Sequence, residues 1–363
     1  DDMHCYILCL TPAGKQLWLS PPMAGSFTWS QTIVLPEKHR KWRLIAAATY
    51  TAYPYRSDEG RLFILNGRTG KLLKPVADLG SSAIGFTAGD VLGDGETELI
   101  VGLRTGRIVV YDLQLRKRAQ IENGSAISAL DNADLDGDGK AEVIALTANM
   151  DMLIADFHPD YPSPRLQRIP LPGRYSRPSW LPGDNLKIGD FDGDSHPEAL
   201  YSAHTIHEPA LMVNYVAFYP MSPVEISPHR VIPYSGIKDF DWSPDGMRVV
   251  LLRSSNSTMK NNLLIGGINQ KRLRCILNTG NITEVAWSPN NKYIAYIHKT
   301  TRSELAGIWI YDLHNNTSKV IVKDATAKQL VWSPDSTRIA FVSQRDGTED
   351  IWLVDVRVKS KPY

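Results

Sequence analysis

The sequence predicts an all-β chain, a β-propeller built of four-stranded antiparallel blades. Three observations carry this prediction. Short alternating apolar runs are separated by Gly, Pro, Asn and Asp, without helical periodicity. Three Trp-Ser-Pro segments recur at a fixed step of 45 residues: Trp242-Ser243-Pro244-Asp245, Trp287-Ser288-Pro289-Asn290 and Trp332-Ser333-Pro334-Asp335. An acidic segment recurs in the first half at steps of 44 and 56 residues, beginning at Asp90, Asp134 and Asp190. Such a period is about four strands plus their turns, which is one blade. A two-sheet sandwich would not repeat its turn chemistry at a fixed step.

Taken in order, complete units run near 21–77, 78–122, 123–170, 171–232, 233–278, 279–324 and 325–363, seven in all. Cys5–Leu10 followed by Ala13-Gly14-Lys15 mirrors Leu62–Leu65 followed by Thr69-Gly70-Lys71. Residues 1–20 are therefore expected to be the outer half of a further, incomplete blade. This favours an eight-bladed ring whose missing inner strands lie upstream of Asp1; seven blades with an N-terminal addition is the alternative. In the second half each Trp-Ser-Pro turn leads into an alternating run (Arg248–Leu252, Lys292–Ile297, Arg338–Val342) and then a later strand (Asn262–Gly266, Gly307–Leu313, Asp350–Val356). The whole of 1–363 is read as one propeller domain, with acidic-repeat blades over 21–232 and Trp-Ser-Pro blades over 233–363.

Composition narrows the function. Of 363 residues, 40 are Lys or Arg and 39 are Asp or Glu, for a net charge of +1. That balance argues against bulk nucleic-acid binding and against a polybasic membrane surface. Hydrophobic residues make up 43%, which excludes a disordered chain. No apolar run is long enough to span a bilayer. Cys5, Cys9 and Cys275 are an odd count with no zinc spacing. Cys5 and Cys9 on one extended segment would lie about 13 Å apart, too far to bridge. The chain begins at Asp1 without an initiator Met or signal peptide, and reads as a trimmed product.

The acidic repeat resembles the FG-GAP/VCBS family of integrin-α-like propellers. Asp134-Leu-Asp-Gly-Asp-Gly-Lys-Ala-Glu142 matches its pattern in full. The Trp-Ser-Pro segments resemble the WD40-like repeat of TolB-type periplasmic proteins, most closely over Arg338–Trp352. Leu62–Leu73 and Tyr6–Trp18 resemble the outer strands of quinoprotein-like propellers. These resemblances imply a propeller fold and a location outside the cytoplasm, periplasmic, cell-surface or secreted.

The acidic turns also read as calcium loops on their chemistry. Calcium takes about six to eight hard oxygens from a tight loop. Asp134, Asp136, Asp138 and Glu142 offer carboxylates at alternate positions, and Lys140 offers its backbone carbonyl. Gly137 and Gly139 permit the turn. Asp190, Asp192, Asp194 and Glu198 repeat the set, with His196 at the carbonyl position. In the remaining loop Leu92 replaces an acid. Asp90, Asp94, Glu96 and Glu98 stay as candidates there, with weak or absent binding expected. The metal is expected to staple turns rather than activate water. Each Trp of the Trp-Ser-Pro turns is expected to pack between blades, with Pro setting φ and Asp bonding backbone amides.

Catalytic motifs are missing. The sequence has no Gly-x-Ser-x-Gly elbow, His-Glu-x-x-His, P-loop or Gly-x-Gly-x-x-Gly. His204-Thr-Ile-His207-Glu208 fits no paired-His protease order and is read as loop chemistry. Asn-x-Ser/Thr triplets at Asn123, Asn256, Asn281, Asn315 and Asn316 carry little weight. The resulting expectation is a non-catalytic, calcium-stabilised scaffold that binds a protein partner, membrane-associated complexes included. A glycan-binding propeller and the accessory propeller of a larger enzyme are the alternatives. The proline-rich unit 171–232 and Tyr53-Pro54-Tyr55-Arg56 are the candidate contact surfaces.

Overall fold

A computed structural model describes residues 4–11, 15–25, 32–35, 43–50, 58–73, 76–149, 151–157, 163–170, 186–189, 197–204, 211–217, 230–231, 237–254, 261–267, 273–300 and 305–356. The chain forms two compact units. The first comprises Asp1–Gly189, His196–Ile206 and Val213–Val231; the second comprises Asp190–Ser195, His207–Met212 and Ile232–Tyr363.

The first unit opens with four short strands, β1 (His4–Cys5), β2 (Leu8–Leu10), β3 (Gln16–Leu19) and β4 (Met23–Ala24). Strand β1 pairs with β4 and β2 with β3, so the run read as one strand, Cys5–Leu10, is divided at Tyr6-Ile7. Ile7 is held there by Ser20, whose N–H donates to the Ile7 carbonyl while its Oγ accepts the Ile7 N–H. The hairpin docks through Trp18, whose Nε1 donates to the Gly67 carbonyl at 3.1 Å. Its indole lies flat over Gly70, a turn residue at φ 69°. A Cβ at Gly70 would meet the ring at 2.4 Å, so both the positive φ and the close approach require glycine.

Four antiparallel meanders follow. They are β5 (Thr32–Leu35), β6 (Leu44–Ala48), β7 (Arg61–Asn66), β8 (Ala77–Asp78); β9 (Ala83–Gly89), β10 (Glu98–Leu103), β11 (Arg107–Tyr111), β12 (Lys117–Glu122); β13 (Ile127–Ala133), β14 (Glu142–Thr147), β15 (Asp151–Asp156), β16 (Arg165–Pro170); and β17 (Leu186–Gly189), β18 (Glu198–His204), β19 (Leu211–Ala217), β20 (Arg230–Val231). Strand alternation decides the packing. Leu99, Val101 and Leu103 of β10 face Leu62 and Ile64 of β7. Ile100, between them, joins Val143 and Ala145 of β14 on the other side. Both faces of β10 are thus covered, which is why the strand is hydrophobic at four of six positions.

The second unit holds β21 (Ile237–Trp242), β22 (Arg248–Ser254), β23 (Asn261–Gly267), β24 (Arg274–Leu277); then β25 (Ile282–Trp287), β26 (Tyr293–His298), β27 (Gly307–Asp312), β28 (Thr317–Lys323); then β29 (Lys328–Trp332), β30 (Arg338–Ser343), β31 (Asp350–Asp355). The last sheet has three strands among the described residues. Trp287 packs with Val250 and Ile265 of the preceding sheet, and Trp332 with Ala286, Ala295 and Ile310 of its own predecessor. Both indoles sit between sheets, as the sequence predicts.

The Trp-Ser-Pro turns close through a serine that pattern reading left without a role. The Oγ atoms of Ser243, Ser288 and Ser333 each accept the N–H five residues on, from Arg248, Tyr293 and Arg338, at 2.9 Å. The acid or amide at the fourth position then accepts an N–H two residues later, at 3.1 Å for Asp245 and Asn290 and 3.0 Å for Asp335. Burying Ser243 and Ser288 is possible because these bonds replace water.

Candidate functional site

The two described acidic turns sit between the first and second strands of their sheets. In the turn after β9, Asp90 accepts the N–H groups of Gly93 and Gly95, both at 2.8 Å, and Asp94 accepts that of Glu96 at 3.0 Å. Glu98 begins β10 and is buried. Its Oε2 accepts the Val91 and Leu92 N–H groups at 3.1 and 3.3 Å. Burial pushes the Glu98 carboxyl up to about 7, and Asp94 and Asp90 add repulsion. Asp90, Asp94 and Glu98 bring one carboxylate oxygen each within 4.8 Å of the others. Glu96 lies in the same turn, outside this trio.

In the turn after β13, Asp134 accepts Gly137 and Gly139 N–H at 2.7 and 2.9 Å. Asp136 and Asp138 accept the N–H groups two residues on. Asp134, Asp136 and Asp138 form a second exposed trio within the same 4.8 Å limit. Glu142 does not join them. Its Oε2 accepts the Leu135 N–H at 2.8 Å, and its Oε1 accepts from the Lys140 ammonium at 3.1 Å.

Lys140 has a side-chain role that the sequence expectation, which used only its carbonyl, did not assign. Its side chain is 6% exposed and its Nζ also bonds Asp156 at 2.5 Å. Burial alone would lower its pKa, but the bonds to Asp156 and Glu142 win and raise it, so the ammonium stays charged. Its methylenes run over Gly93, where a Cβ would come within 3.2 Å of Cδ. The Ala141 N–H donates to the Asp90 carbonyl at 2.9 Å. The ammonium therefore neutralises Glu142, while the Lys140 methylenes and the Ala141 N–H tie this turn to the Asp90 turn. A lysine inside a metal-like motif was the available signal; its orientation needed the fold.

Both trios suit a hard divalent cation on their donor chemistry, because crowded carboxylates in a tight turn are relieved by one. Asp190, Asp192, Asp194 and His196 lie outside the described residues, as do Tyr53-Pro54-Tyr55-Arg56, His207 and Glu208. Glu198 and His204 are placed on β18 by backbone alone.

A second acidic set escaped the sequence reading. The first strands of successive sheets are clasped by carboxylates. Asp131 on β13 accepts the Ile188 N–H of β17 at 3.2 Å. Asp239 and Asp241 on β21 accept the Val285 and Trp287 N–H groups of β25 at 2.8 and 2.6 Å. Glu284 on β25 accepts the Gln329 and Leu330 N–H groups of β29 at 2.6 and 3.3 Å. Each first strand would otherwise leave edge amides unbonded. Burial pushes Asp239 up to about 7, with Glu284 and Asp241 adding repulsion, and it raises Glu284 as well. Acids at β-strand positions just ahead of the turns were the only sequence signal.

No protein-family model matches the chain, and no curated protein matches it. Solved structures do. A eukaryotic initiation factor aligns with a TM-score of 0.53 at 14% identity, covering 96% of this chain and 80% of that one. The Dos1 propeller aligns with a TM-score of 0.50 at 10% identity, covering 86% of this chain and 89% of that one. Hydrazine synthase of Kuenenia stuttgartiensis aligns with a TM-score of 0.49 at 13% identity, over 83% and 93%. The chain is a β-propeller. At these identities the likeness concerns fold alone. Among the described residues no helix is long and apolar enough to cross a membrane.

Proposed function

We propose that this propeller is a non-catalytic protein-interaction scaffold working outside the cytoplasm, with calcium held in its acidic turns. One observation carries the reading. The carboxylates that burial perturbs most, Asp239, Glu284, Glu98 and Glu142, are all engaged by backbone amides within and between sheets, with Lys140 added at Glu142. Perturbed groups in a catalytic cleft would face substrate instead. Exposed apolar residues include Tyr6, Leu8, Leu17 and Leu19 in the N-terminal strands and Val331, Ile351 and Leu353 on the C-terminal sheet, which suits contact surfaces.

Calcium would be held by Asp134, Asp136 and Asp138 in one turn and by Asp90, Asp94 and Glu98 in the other. It would relieve their mutual repulsion and lock each turn. Loops of this kind in extracellular modules bind at about 10⁻⁴–10⁻³ M, a range met outside the cytoplasm. The FG-GAP/VCBS-like and TolB-like repeats support the same location. Affinity isolation on the intact chain from the extracytoplasmic fraction of its host, with calcium and with chelator, tests the reading. A protein retained at fixed stoichiometry is expected. Turnover of a peptide or small-molecule substrate by the purified chain overturns it.

A further inference from the structure

The two described acidic turns are built alike and part at one position. Each begins with an aspartate that accepts two glycine N–H groups, Asp90 from Gly93 and Gly95, Asp134 from Gly137 and Gly139. Each ends on a buried glutamate that opens a second strand, Glu98 or Glu142. The Oε2 of that glutamate accepts the N–H of the residue after the first aspartate, Val91 or Leu135. Six places after the aspartate, the Asp90 turn carries exposed Glu96, whereas the Asp134 turn carries Lys140.

The Lys140 side chain is 6% exposed. Its ammonium lies 3.1 Å from Glu142 Oε1 and 4.0 Å from Asp138 Oδ2, with Asp156 Oδ1 at 2.5 Å. A cation supplied by the chain is thus seated among the acids of this turn. The effect shows in which carboxylates converge. Glu98 brings an oxygen within 4.8 Å of those of Asp90 and Asp94. Glu142 is turned to Lys140 instead, and the convergent set is Asp134, Asp136 and Asp138. At the Asp90 turn, Arg118 pairs with Asp94 at 3.7 Å, but both side chains are more than one-third exposed, so water and salt screen that pair.

We propose that Lys140 is a tethered cation that takes over part of calcium's role in the Asp134 turn, so that calcium binds more tightly in the Asp90 turn. This rests on the calcium reading and reverses the order that Leu92 predicts from sequence. An ammonium fixed beside Asp138 repels a divalent ion brought to Asp134, Asp136 and Asp138, and it keeps Glu142 from joining them. In the Asp90 turn an acid, Glu96, stands at the lysine's place in the repeat, and Glu98 is left to serve as a ligand beside Asp90 and Asp94.

Calorimetric titration of the intact chain with calcium chloride tests this, with melting curves as a second readout. Asp94→Asn and Asp136→Asn each remove one charge and keep the oxygen that accepts a backbone N–H. Asp94→Asn is expected to weaken the tighter calcium binding by about tenfold or more, and Asp136→Asn to leave it unaltered. Lys140→Met keeps the methylenes over Gly93 and removes the charge. It should strengthen binding at the Asp134 turn by about tenfold or more, and Asp136→Asn in the same chain should cancel the gain. Lys140→Arg keeps the charge and should show no gain. Calcium should raise the melting temperature of Lys140→Met more than that of the wild type. Tighter binding that is lost with Asp136→Asn and kept with Asp94→Asn overturns the proposal while the calcium reading stands. So does a folded Lys140→Met whose calcium affinity equals that of the wild type. If Lys140→Met does not fold, the Asp94→Asn and Asp136→Asn pair decides alone. Absence of calcium binding in the wild type and in every variant overturns the calcium reading itself, and this inference with it.

Discussion

Asp239 makes stability depend on pH in the unusual direction. Its carboxylate lies between two first strands, accepting the Phe240 N–H at 2.9 Å and the Val285 N–H at 2.8 Å. Burial, with repulsion from Glu284 and Asp241, pushes it from 3.8 to about 7. Between these two values the folded chain keeps a proton that the unfolded chain releases. Stability from this group therefore falls as pH rises through the window and levels off above it. One pKa unit is about 1.4 kcal/mol, so moving from about pH 5 to about pH 8 costs at most about 3 kcal/mol. Urea midpoints of the wild type and of Asp239→Asn across that range measure it. Glu98 titrates in the same direction, so the difference between the two slopes is the readout. Asn keeps the shape and removes the charge. It loses one of two accepted N–H bonds, a cost of about 1 kcal/mol that does not vary with pH. The variant is expected to show a clearly flatter profile, with its relative stability improving toward pH 8. Parallel profiles, or a wild type that gains stability from pH 5 to 8, would refute the electrostatic argument.

Three other perturbations test the packing. Lys140→Met removes the buried ammonium from Glu142 and Asp156 and should cost about 3–5 kcal/mol, since it strands a buried carboxylate; denaturant unfolding with unchanged circular dichroism at zero denaturant checks it. Trp332→Ala empties the space between two sheets and breaks the bond to the Ala286 carbonyl. A loss of about 3–5 kcal/mol is expected, and a smaller loss for the exposed Met247→Ala serves as comparison. Gly70→Ala drives a methyl into the Trp18 ring at a positive φ. The β2–β3 hairpin should then be clipped faster by protease while the core amides of β10 keep their hydrogen-exchange protection.

The blades were legible in the sequence because strand alternation and turn chemistry are local. Trp287 and Trp332 could be assigned to inter-sheet packing from their spacing, and Asp245 and Asp335 to turn bonding from their place after Pro. The acidic turns were legible as clusters, and the fold brings together Asp90, Asp94 and Glu98 in one and Asp134, Asp136 and Asp138 in the other. Glu142 reads as one more carboxylate in a list, and only the fold brings Lys140 and Asp156 to it. Asp131, Asp239 and Glu284 showed only as acids at strand positions ahead of turns, because their partners are backbone amides of another sheet, 57, 46 and 45 residues away.

What the sequence by itself determined is therefore the repeating unit: four short strands, their turns, and which faces are apolar. Those follow from φ preferences, side-chain period and turn residues, all set within a few neighbours along the chain. Only the tertiary structure decided which charges meet and which apolar face is left uncovered. Val331 and Ala286 occupy the same place in the repeat, yet Ala286 is buried with Trp332 and Ile339 while Val331 is 62% exposed. Pairing and exposure belong to the space between sheets, which no local period encodes.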